Sequence, residues 1–252
     1  MAHKTLINGT AYAVKGGRDL IAGTGYAKKQ GKTLIDGTEH AISFDIPLST
    51  ITPGAILYLN ESGSPVPFYI AKHDYESGLN GAGRTLVVRK DCYDKRAFSS
   101  RTNAYAGSSL DSWLRNTYPK LLDADIQAAI SETKFYYTPG NGNDTVTTLQ
   151  RAVFLLSVTE LGKSESNANT EGTALSSAVC SQLAIAYRNG SAVTQWTRTP
   201  YKNFTRHAYY MDTYGDLYYT ICTDSLGSRP AFTLPSTTVV IANADGTYTL
   251  AA

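Results

Sequence analysis

The pattern of apolar and polar positions divides the chain into a repetitive N-terminal part and a longer mixed part. Residues 4–17, 18–31 and 32–45 are three copies of a repeat, each with a basic residue, a Leu-Ile pair, a turn signal and a second short run. This pattern predicts a strand, a tight turn and a strand in each copy. One such unit buries little surface, so the copies share a core or pack on another chain. A docking or oligomerisation module and a β-cap on the main domain both fit.

Beyond the repeats, short apolar runs alternate with loops rich in Gly, Ser and Asn. The runs at residues 55–59, 66–71 and 85–89 are rich in β-branched, aromatic and leucine side chains, which predicts strands. Residues 153–157 predict a buried strand or the start of another element. The last third of the chain returns to β-type runs and ends with one at residues 248–250.

Helical periodicity is confined to the middle of the chain. Residues 108–118 predict a helix that Ser109 or Asp111 can cap, and residues 123–133 predict a second helix. Residues 174–186 contain a shorter helical pattern. The apolar faces of the two longer helices consist of Leu110, Trp113, Leu114, Ile126, Ala129 and Ile130.

This order of elements predicts an α+β fold with a high loop fraction. We expect two domains, the repeats at residues 1–43 and one α+β domain at residues 44–252. The polar stretch at residues 164–173 predicts an irregular insertion. Long loops in a compact domain commonly carry function, so we expect a binding surface built from loops.

Composition and charge narrow the classes of function. The net charge is +2, with 17% charged residues and no basic tract, which argues against nucleic-acid binding through phosphate contacts. No apolar run reaches the roughly 18 residues that a membrane helix needs, so we expect no membrane partner. The chain begins MAHKTLINGT without an apolar signal region, so we expect synthesis in a cytosol without Sec export.

The most informative segment is residues 197–235. Pro, Gly, Arg and apolar residues at its two ends, residues 196–200 and 227–235, predict structural brackets. Between them, residues 201–224 hold six of the 18 tyrosines in less than a tenth of the chain. Tyrosine combined with Asn, Ser, Thr and Gly is typical of binding paratopes, because Tyr offers large contact area at low entropic cost. This segment therefore predicts a recognition surface.

Within this segment we distinguish contact residues from supporting ones. Tyr209 and Met211 are expected to be partly in the core. Trp113 and Trp196 are expected to be core anchors, and the Arg229 guanidinium is expected to donate to backbone carbonyls. The predicted ligand-binding set is Tyr201, Asn203, Phe204, Arg206, His207, Tyr210, Asp212, Tyr214, Asp216, Tyr218 and Tyr219.

Catalytic and metal-binding patterns are not found in the sequence. Cys92, Cys180 and Cys222 form no CxxC pair and no disulfide framework, and Cys222 has no second cysteine nearby. The four histidines are isolated, without metal-ligand spacing, and no glycine-rich nucleotide loop occurs. The motifs of calcium-dependent sugar binding are also missing. We therefore predict no catalytic residue, no metal site and no cofactor.

Several segments occur together in a specific order: residues 109–115, 122–130, 153–157 with Glu160, 196–200 and 228–234. This ordered set resembles that of one domain family, which is common in gut-type bacteria and their phages. The chain resembles this family over roughly residues 44–250. The family is related to the C-type-lectin-like fold, in its formylglycine-generating-enzyme-like branch. The N-terminal repeats resemble those that precede such domains in phage structural proteins.

The resemblance implies a fold in which small antiparallel sheets and two helices hold a long, irregular ligand-facing surface. The same fold is the scaffold of the variable proteins of diversity-generating retroelements, whose C-terminal region is mutated at adenines. This implies a receptor-binding protein or adhesin of the phage virion, with a diversified surface that contacts a bacterial surface protein or glycan. The repeats would then bind other virion proteins or allow a homo-oligomer.

Two other interpretations stay open. The chain can be a fixed structural or decoration protein of the virion, whose C-terminal surface serves only assembly. It can also be an enzyme of the formylglycine-generating type, against which the solitary Cys222 argues.

Overall fold

The computed structural model describes residues 4–7, 10–13, 31–35, 38–42 and 46–251. The chain divides into two compact units, Met1–Ile42 and Ser43–Ala252. Two antiparallel strand pairs occur in the first unit, one in the first repeat and one in the third; apart from Gly31, the second repeat lies outside the described residues. The pairs are β1 (Lys4–Ile7) with β2 (Thr10–Ala13), and β3 (Gly31–Ile35) with β4 (Thr38–Ile42).

The second unit is mixed α+β, as the sequence predicted. Its strands are β5 (Ile46–Pro47), β6 (Ile56–Glu61), β7 (Ser64–Lys72), β8 (Arg84–Arg89), β9 (Asp94–Ala97), β10 (Thr133–Tyr137), β11 (Thr147–Arg151), β12 (Val153–Phe154), β13 (Ala186–Arg188), β14 (Ser191–Val193), β15 (Gln195–Pro200), β16 (His207–Met211), β17 (Leu217–Ile221), β18 (Ser225–Ser228), β19 (Ala231–Pro235), β20 (Val239–Ala242) and β21 (Tyr248–Leu250). Its helices are α1 (Ser77–Asn80), α2 (Ser109–Asn116), α3 (Ala124–Ala129) and α4 (Ser177–Ala184), with 3-10 turns at Leu48–Thr50 and Tyr118–Leu121.

Two larger sheets organise the second unit. Eight strands form one sheet in the order β12-β19-β8-β7-β6-β21-β20-β5, and five strands form the other in the order β17-β16-β15-β18-β9. Most neighbours are antiparallel, but β21 runs parallel to β6 and β15 runs parallel to β18. Two-stranded sheets, β10-β11 and β13-β14, lie outside them. The tyrosine-rich segment thus forms one edge of the five-stranded sheet.

One continuous cluster of buried apolar side chains lies between the sheets and the helices. Phe68 and Phe232 from the eight-stranded sheet pack edge to face at 5.5 Å. Trp196 of the five-stranded sheet belongs to the same cluster and packs on Phe98 at 5.5 Å. Trp113 is buried as well, so the prediction of two tryptophan core anchors is confirmed. This shared core fixes the five-stranded sheet, and with it the frame of the tyrosine segment.

The residue predicted to cap α2 was wrong. Ser108, rather than Ser109 or Asp111, caps the helix, because its Oγ accepts a hydrogen bond from the Asp111 amide at 2.9 Å. The Asp111 side chain is buried and instead accepts from Arg151 Nε at 2.7 Å. Ser109 donates its hydroxyl to the Phe98 carbonyl.

The second predicted helix was too long at its C-terminal end. α3 ends at Ala129, and Thr133 already begins β10. Thr133 is buried and its hydroxyl pairs with that of Thr233 at 2.6 Å, so tertiary contacts override the helical periodicity there. Within the part of the chain that the structure describes, no helix is long and apolar enough to cross a membrane.

Candidate ligand-binding surface

The tyrosine-rich segment folds into an antiparallel hairpin of β16 and β17. Tyr209 lies opposite Tyr219, and Tyr210 lies opposite Tyr218. Because successive side chains of a strand point to opposite faces, these two tyrosine pairs lie on opposite faces of the sheet. The predicted contact residues therefore occupy both faces of one hairpin.

One face of the hairpin carries a cluster of aromatic rings, which we call the aromatic face: Tyr201, Phe204, His207, Tyr209 and Tyr219. The ring of Tyr201 lies 4.2 Å from that of Tyr219 and 5.3 Å from that of Phe204, measured between ring centroids. His207 adds a fourth ring, 5.3 Å from Phe204. Tyr209 is buried beneath them, and burial raises its pKa. The rings support one another and leave Phe204 50% and Tyr219 47% exposed.

The opposite face of the hairpin has a smaller aromatic pair. Tyr210 and Tyr218 are 6.2 Å apart, and Tyr210 also packs edge-on against Trp196 at 6.3 Å. Burial raises the pKa of Tyr210, whereas Tyr218 is 52% exposed. Met211 is fully buried, so the prediction that Tyr209 and Met211 contribute to the core is confirmed.

The turn of the hairpin depends on Asp212. Its Oδ1 accepts hydrogen bonds from the amides of Tyr214 and Asp216, both at 2.8 Å. Gly215 has a φ of +85°, which favours glycine, and a Cβ there would lie 3.0 Å from the Ala184 Cβ. Asp212, predicted as a contact residue, therefore shapes the turn. Tyr214 projects from the turn with 83% of its side chain exposed.

The loop between β15 and β16 is fixed by Asn103, which the sequence did not single out. The Asn103 Nδ2 group lies 2.9 Å from the Tyr201 carbonyl, 3.1 Å from that of Phe204 and 2.9 Å from that of His207, and these three acceptors share its two N–H bonds. Its backbone amide donates to the Thr205 carbonyl at 2.7 Å. Asn103 is buried in a segment without regular secondary structure. Because such a segment has no periodic pattern, the sequence did not indicate that this residue is buried. One buried amide thus sets the backbone of the aromatic face.

A second loop borders the aromatic face through Asn167. This residue belongs to the polar stretch at 164–173, which is irregular in the structure as predicted. Asn167 Nδ2 donates to the Tyr201 hydroxyl at 2.8 Å, and Asn203 Nδ2 donates to Asn167 Oδ1 at 2.7 Å. The surface therefore combines aromatic rings with carboxamide groups. Arg206 lies exposed at the start of β16.

Beneath this loop lies a buried ionic cluster centred on Arg198 of β15. Arg198 Nη1 donates to Glu160 Oε2 at 2.6 Å and to the Leu155 carbonyl at 2.7 Å. Glu160 also accepts from the Tyr75 hydroxyl. Glu171 lies 3.8 Å from Arg198 and, because desolvation disfavours its charge, its pKa is raised. The three ionic side chains are fully buried, so their pairing fixes both ends of the 164–173 loop.

The second bracket, residues 227–235, is held in place by Arg229. Its guanidinium donates to the carbonyls of Arg89 at 2.9 Å and Leu183 at 2.7 Å, and also to that of Lys90. The expectation of backbone-carbonyl contacts is therefore confirmed. Gly227 leaves no room for a side chain, because a Cβ there would lie 2.5 Å from Cys92 Sγ.

Cys92 and Cys222 are buried thiols, whereas Cys180 is partly exposed. Burial raises the pKa of Cys222 to about 12 and that of Cys92 to about 11. His73 lies between the Thr85 hydroxyl and the Ile51 carbonyl and is occupied by structural hydrogen bonds. Among the described residues, no three His, Cys, Asp or Glu side chains come together as a metal site.

A shallow cleft of about 410 Å³ lies beside α4, near the turn of the hairpin. Leu161, Lys163, Leu175 and Cys180 are among its lining residues, and Ala184, which contacts the turn, lies at its margin. None of the predicted contact residues lines it. Four exposed aromatic residues, Phe204, Tyr214, Tyr218 and Tyr219, lie on or beside the hairpin and do not line this cleft.

Comparison with known proteins gives one family. Residues 82–236 match the family described as Domain of unknown function (DUF6273), and they make up more than half of the chain. The chain therefore belongs to this family. The matched residues include β8 to β19 and so contain the ionic cluster, both brackets and the hairpin. No curated protein and no solved structure matches the chain.

Proposed function

We propose that this chain is a ligand-binding protein, of the receptor-binding or adhesin type, that presents its tyrosine-rich hairpin to a bacterial surface molecule. In this proposal the second unit has a C-type-lectin-like fold. The hairpin is the diversified region of a variable protein of a diversity-generating retroelement, and the chain is part of a phage virion assembled in the bacterial cytoplasm. The N-terminal repeats attach it to other virion proteins or to sister subunits.

One observation carries the proposal: the distribution of exposed aromatic side chains. In the described part of the chain, the large apolar side chains that are exposed are Tyr187, Phe204, Tyr214, Tyr218 and Tyr219. Four of these five lie on or beside a single hairpin. Scattered exposed apolar residues are ordinary, but a concentration of them on one element indicates an interaction site.

The rigidity of the frame under the hairpin also supports binding. Arg198, Arg229 and Asn103 are buried and every side-chain nitrogen of the three donates a hydrogen bond, so the exposed rings stand on fixed backbone. A pre-organised surface loses less entropy when it binds. A frame of buried contacts with exposed side chains on the hairpin is also what a diversified binding protein needs, because substitutions at the exposed positions of the hairpin leave the core intact.

The alternatives are weaker on physical grounds. An enzyme of the formylglycine-generating type needs a reactive thiolate, whereas burial raises the pKa of Cys222 to about 12 and keeps the thiol protonated at neutral pH. A fixed decoration protein remains the competing hypothesis. It predicts that the hairpin binds another virion protein and carries no record of diversification.

The DNA around the gene tests the diversification. We expect a nearby near-copy of the segment that encodes residues 196–235, differing from it at adenines, together with a reverse transcriptase gene. A locus without such a template would reject the retroelement and favour a fixed adhesin or decoration protein.

Binding to cells tests the recognition surface directly. The triple variant Phe204→Ser/Tyr214→Ser/Tyr218→Ser should lose binding to a panel of intact bacteria while its free energy of unfolding changes by less than about 1 kcal/mol per site. Tyr187→Ser is the matched control, because Tyr187 is a similarly exposed tyrosine outside the hairpin. A folded triple variant that binds as well as the control would reject the contact assignment.

A further inference from the structure

The two edges of the five-stranded sheet differ in chemistry. β9 forms one edge and carries Asp94, Lys95 and Arg96 in four residues. β17 forms the other edge and carries no charged residue in five. Proteins commonly protect edge strands with charges, because an unpaired edge is a template for another strand. β9 has this protection and β17 does not.

The alternation of hydrogen-bonded and non-hydrogen-bonded pairs along the hairpin shows which backbone groups of β17 point outward. The Asp212 amide donates to the Asp216 carbonyl, and the Cys222 amide donates to the Arg206 carbonyl, both at 2.8 Å. In an antiparallel pair the hydrogen-bonded positions alternate, so Tyr218 and Thr220 face β16. The backbone groups of the intervening residues, Leu217, Tyr219 and Ile221, point away from β16, and of these the Ile221 carbonyl already accepts a hydrogen bond from the Asp224 amide at 3.0 Å. Within the described residues, no other strand pairs with β17.

Aromatic side chains flank this edge on both faces of the sheet. Tyr219 stacks with Tyr201 on the aromatic face, and Tyr218 lies beside Tyr210 on the opposite face. A partner that approaches one face of the sheet reaches only one of these pairs. A strand added along β17 reaches both, because its own side chains alternate between the two faces.

The charges around the edge are unequal at its two ends. Asp212 and Asp216 lie at the turn, beside Leu217. At the opposite end, Arg206 precedes β16 and Asp224 follows β17, so one positive and one negative charge offset each other. A complementary strand is therefore uncharged along its centre and basic at the end that lies beside the turn.

We propose that β17 binds an extended segment of a partner protein by strand addition, with uncharged residues paired to Leu217–Ile221 and a basic residue beside Asp212 and Asp216. This inference rests on the proposed function, since it assigns the hairpin a protein ligand in an extended conformation. Main-chain hydrogen bonds from both backbone groups of Leu217 and Tyr219, and from the Ile221 amide, supply affinity that does not depend on side chains. Tyr218 and Tyr219 then select the side chains of the partner.

The first test uses a library of linear 12-residue peptides displayed on filamentous phage, selected on the full chain. We expect enriched peptides with an uncharged centre and a basic residue at one end. With such a peptide bound, hydrogen exchange of the amides at Leu217 and Tyr219 should slow by about tenfold or more, because these amides gain partners. No enrichment, or binding without protection of these amides, would overturn the proposal.

The second test compares Tyr219→Pro with Tyr219→Ala. Both substitutions remove the ring, but proline also removes the outward N–H while the inward bonds of Tyr218 and Thr220 to β16 stay. We expect the proline variant to bind the selected peptide about tenfold more weakly than the alanine variant. Equal affinities would overturn strand addition, and the exchange measurement on the unmodified chain keeps the test valid if the proline variant unfolds.

The remaining outcomes separate this inference from the proposed function. If sedimentation shows a dimer of the full chain that Tyr219→Pro abolishes and Tyr219→Ala does not, the occupant of the edge is a second copy, and the partner-protein proposal fails. If the triple hairpin variant loses binding to cells but Tyr219→Pro retains it, the recognition surface stands and strand addition fails. If the triple variant binds cells normally, the proposed function itself fails.

Discussion

Two strands of the same sheet, β15 and β17, reverse the usual relation between polarity and burial. β15 contains Gln195, Thr197, Arg198 and Thr199, yet every residue of the strand is buried. β17 is mostly apolar or aromatic, yet two of its five residues are exposed and the other three are only partly covered. One strand, β16, separates them.

The difference shows how this molecule separates scaffold from surface. The polar groups of β15 are tolerated inside because each has a partner: Arg198 pairs with Glu160, and the Thr199 hydroxyl donates to Glu171 at 2.8 Å. Such a network fits only one arrangement of the chain. The aromatic residues of β17 have few such constraints, so they can be changed without loss of the fold. The comparison therefore predicts large effects in β15 and small effects in β17.

The largest effect is expected for Arg198→Met. This substitution leaves Glu160 and Glu171 buried without their cation, which typically costs 3–5 kcal/mol of unfolding free energy. Urea unfolding at pH 7 measures it. Arg206→Met is the matched control, since Arg206 is exposed and its loss should change stability by about 0.5 kcal/mol or less. Similar values for the two variants would contradict the scaffold role of the ionic cluster.

A smaller but more local effect is expected for Asn103→Ala. Three carbonyls of the loop between β15 and β16 lose their donor, which typically costs about 1–3 kcal/mol. Hydrogen exchange should also accelerate over residues 201–207. Asn203→Ala, which removes an exposed amide, is the control and should leave exchange in β16 unchanged. If exchange in this loop is unaffected by Asn103→Ala, the loop is fixed by other contacts.

The pH dependence of stability sharpens the comparison further. Desolvation raises the pKa of Glu171 in the folded chain, whereas the unfolded carboxyl titrates near 4.3. Between these two values the folded state binds more protons, so this group makes the unfolding free energy fall as pH rises, by at most about 1.4 kcal/mol per pH unit. Unfolding of the unmodified chain and of Glu171→Gln between pH 4 and 7 measures the difference. A contribution from Glu171 that rises with pH would show that the charge of Arg198 stabilises the carboxylate by more than desolvation destabilises it.

The smallest effect is expected in β17. Tyr218→Ser removes a half-exposed ring and should change the unfolding free energy by about 0.5 kcal/mol or less. Tyr209 lies on the adjacent strand β16, opposite Tyr219. Tyr209→Ser removes a buried ring and should cost several times more unfolding free energy. Thermal unfolding of both variants compares them. Equal losses would mean that β17 is part of the scaffold.

Much of the secondary structure followed from local patterns, while the boundaries did not. The apolar face of α2 is visible in the sequence as Leu110, Trp113 and Leu114, and all three are buried. The extent of α3 was not predictable, because Thr133 pairs with Arg151 of β11 and its hydroxyl bonds to that of Thr233, which lies 100 positions away. The parallel pairing of β15 with β18 likewise depends on the path of the chain.

The candidate site was predicted as a segment but not as an arrangement. Tyrosine enrichment identified the segment, and the division of its tyrosines between two faces emerged only from the register of β16 and β17. Asn103 and Asn167 gave no signal of their own, since an isolated asparagine in a loop has no pattern. Their roles depend on distant partners, Tyr201 above all.

The sequence by itself determined the α+β class, the tyrosine-rich segment and the two brackets that enclose it, because periodicity and composition are properties of neighbouring residues. Only the tertiary structure decided that the polar strand β15 is buried and the aromatic strand β17 lies at an edge. Burial depends on which partners the fold brings to each side chain, and the partners of Arg198 and Arg229 lie tens of residues away along the chain.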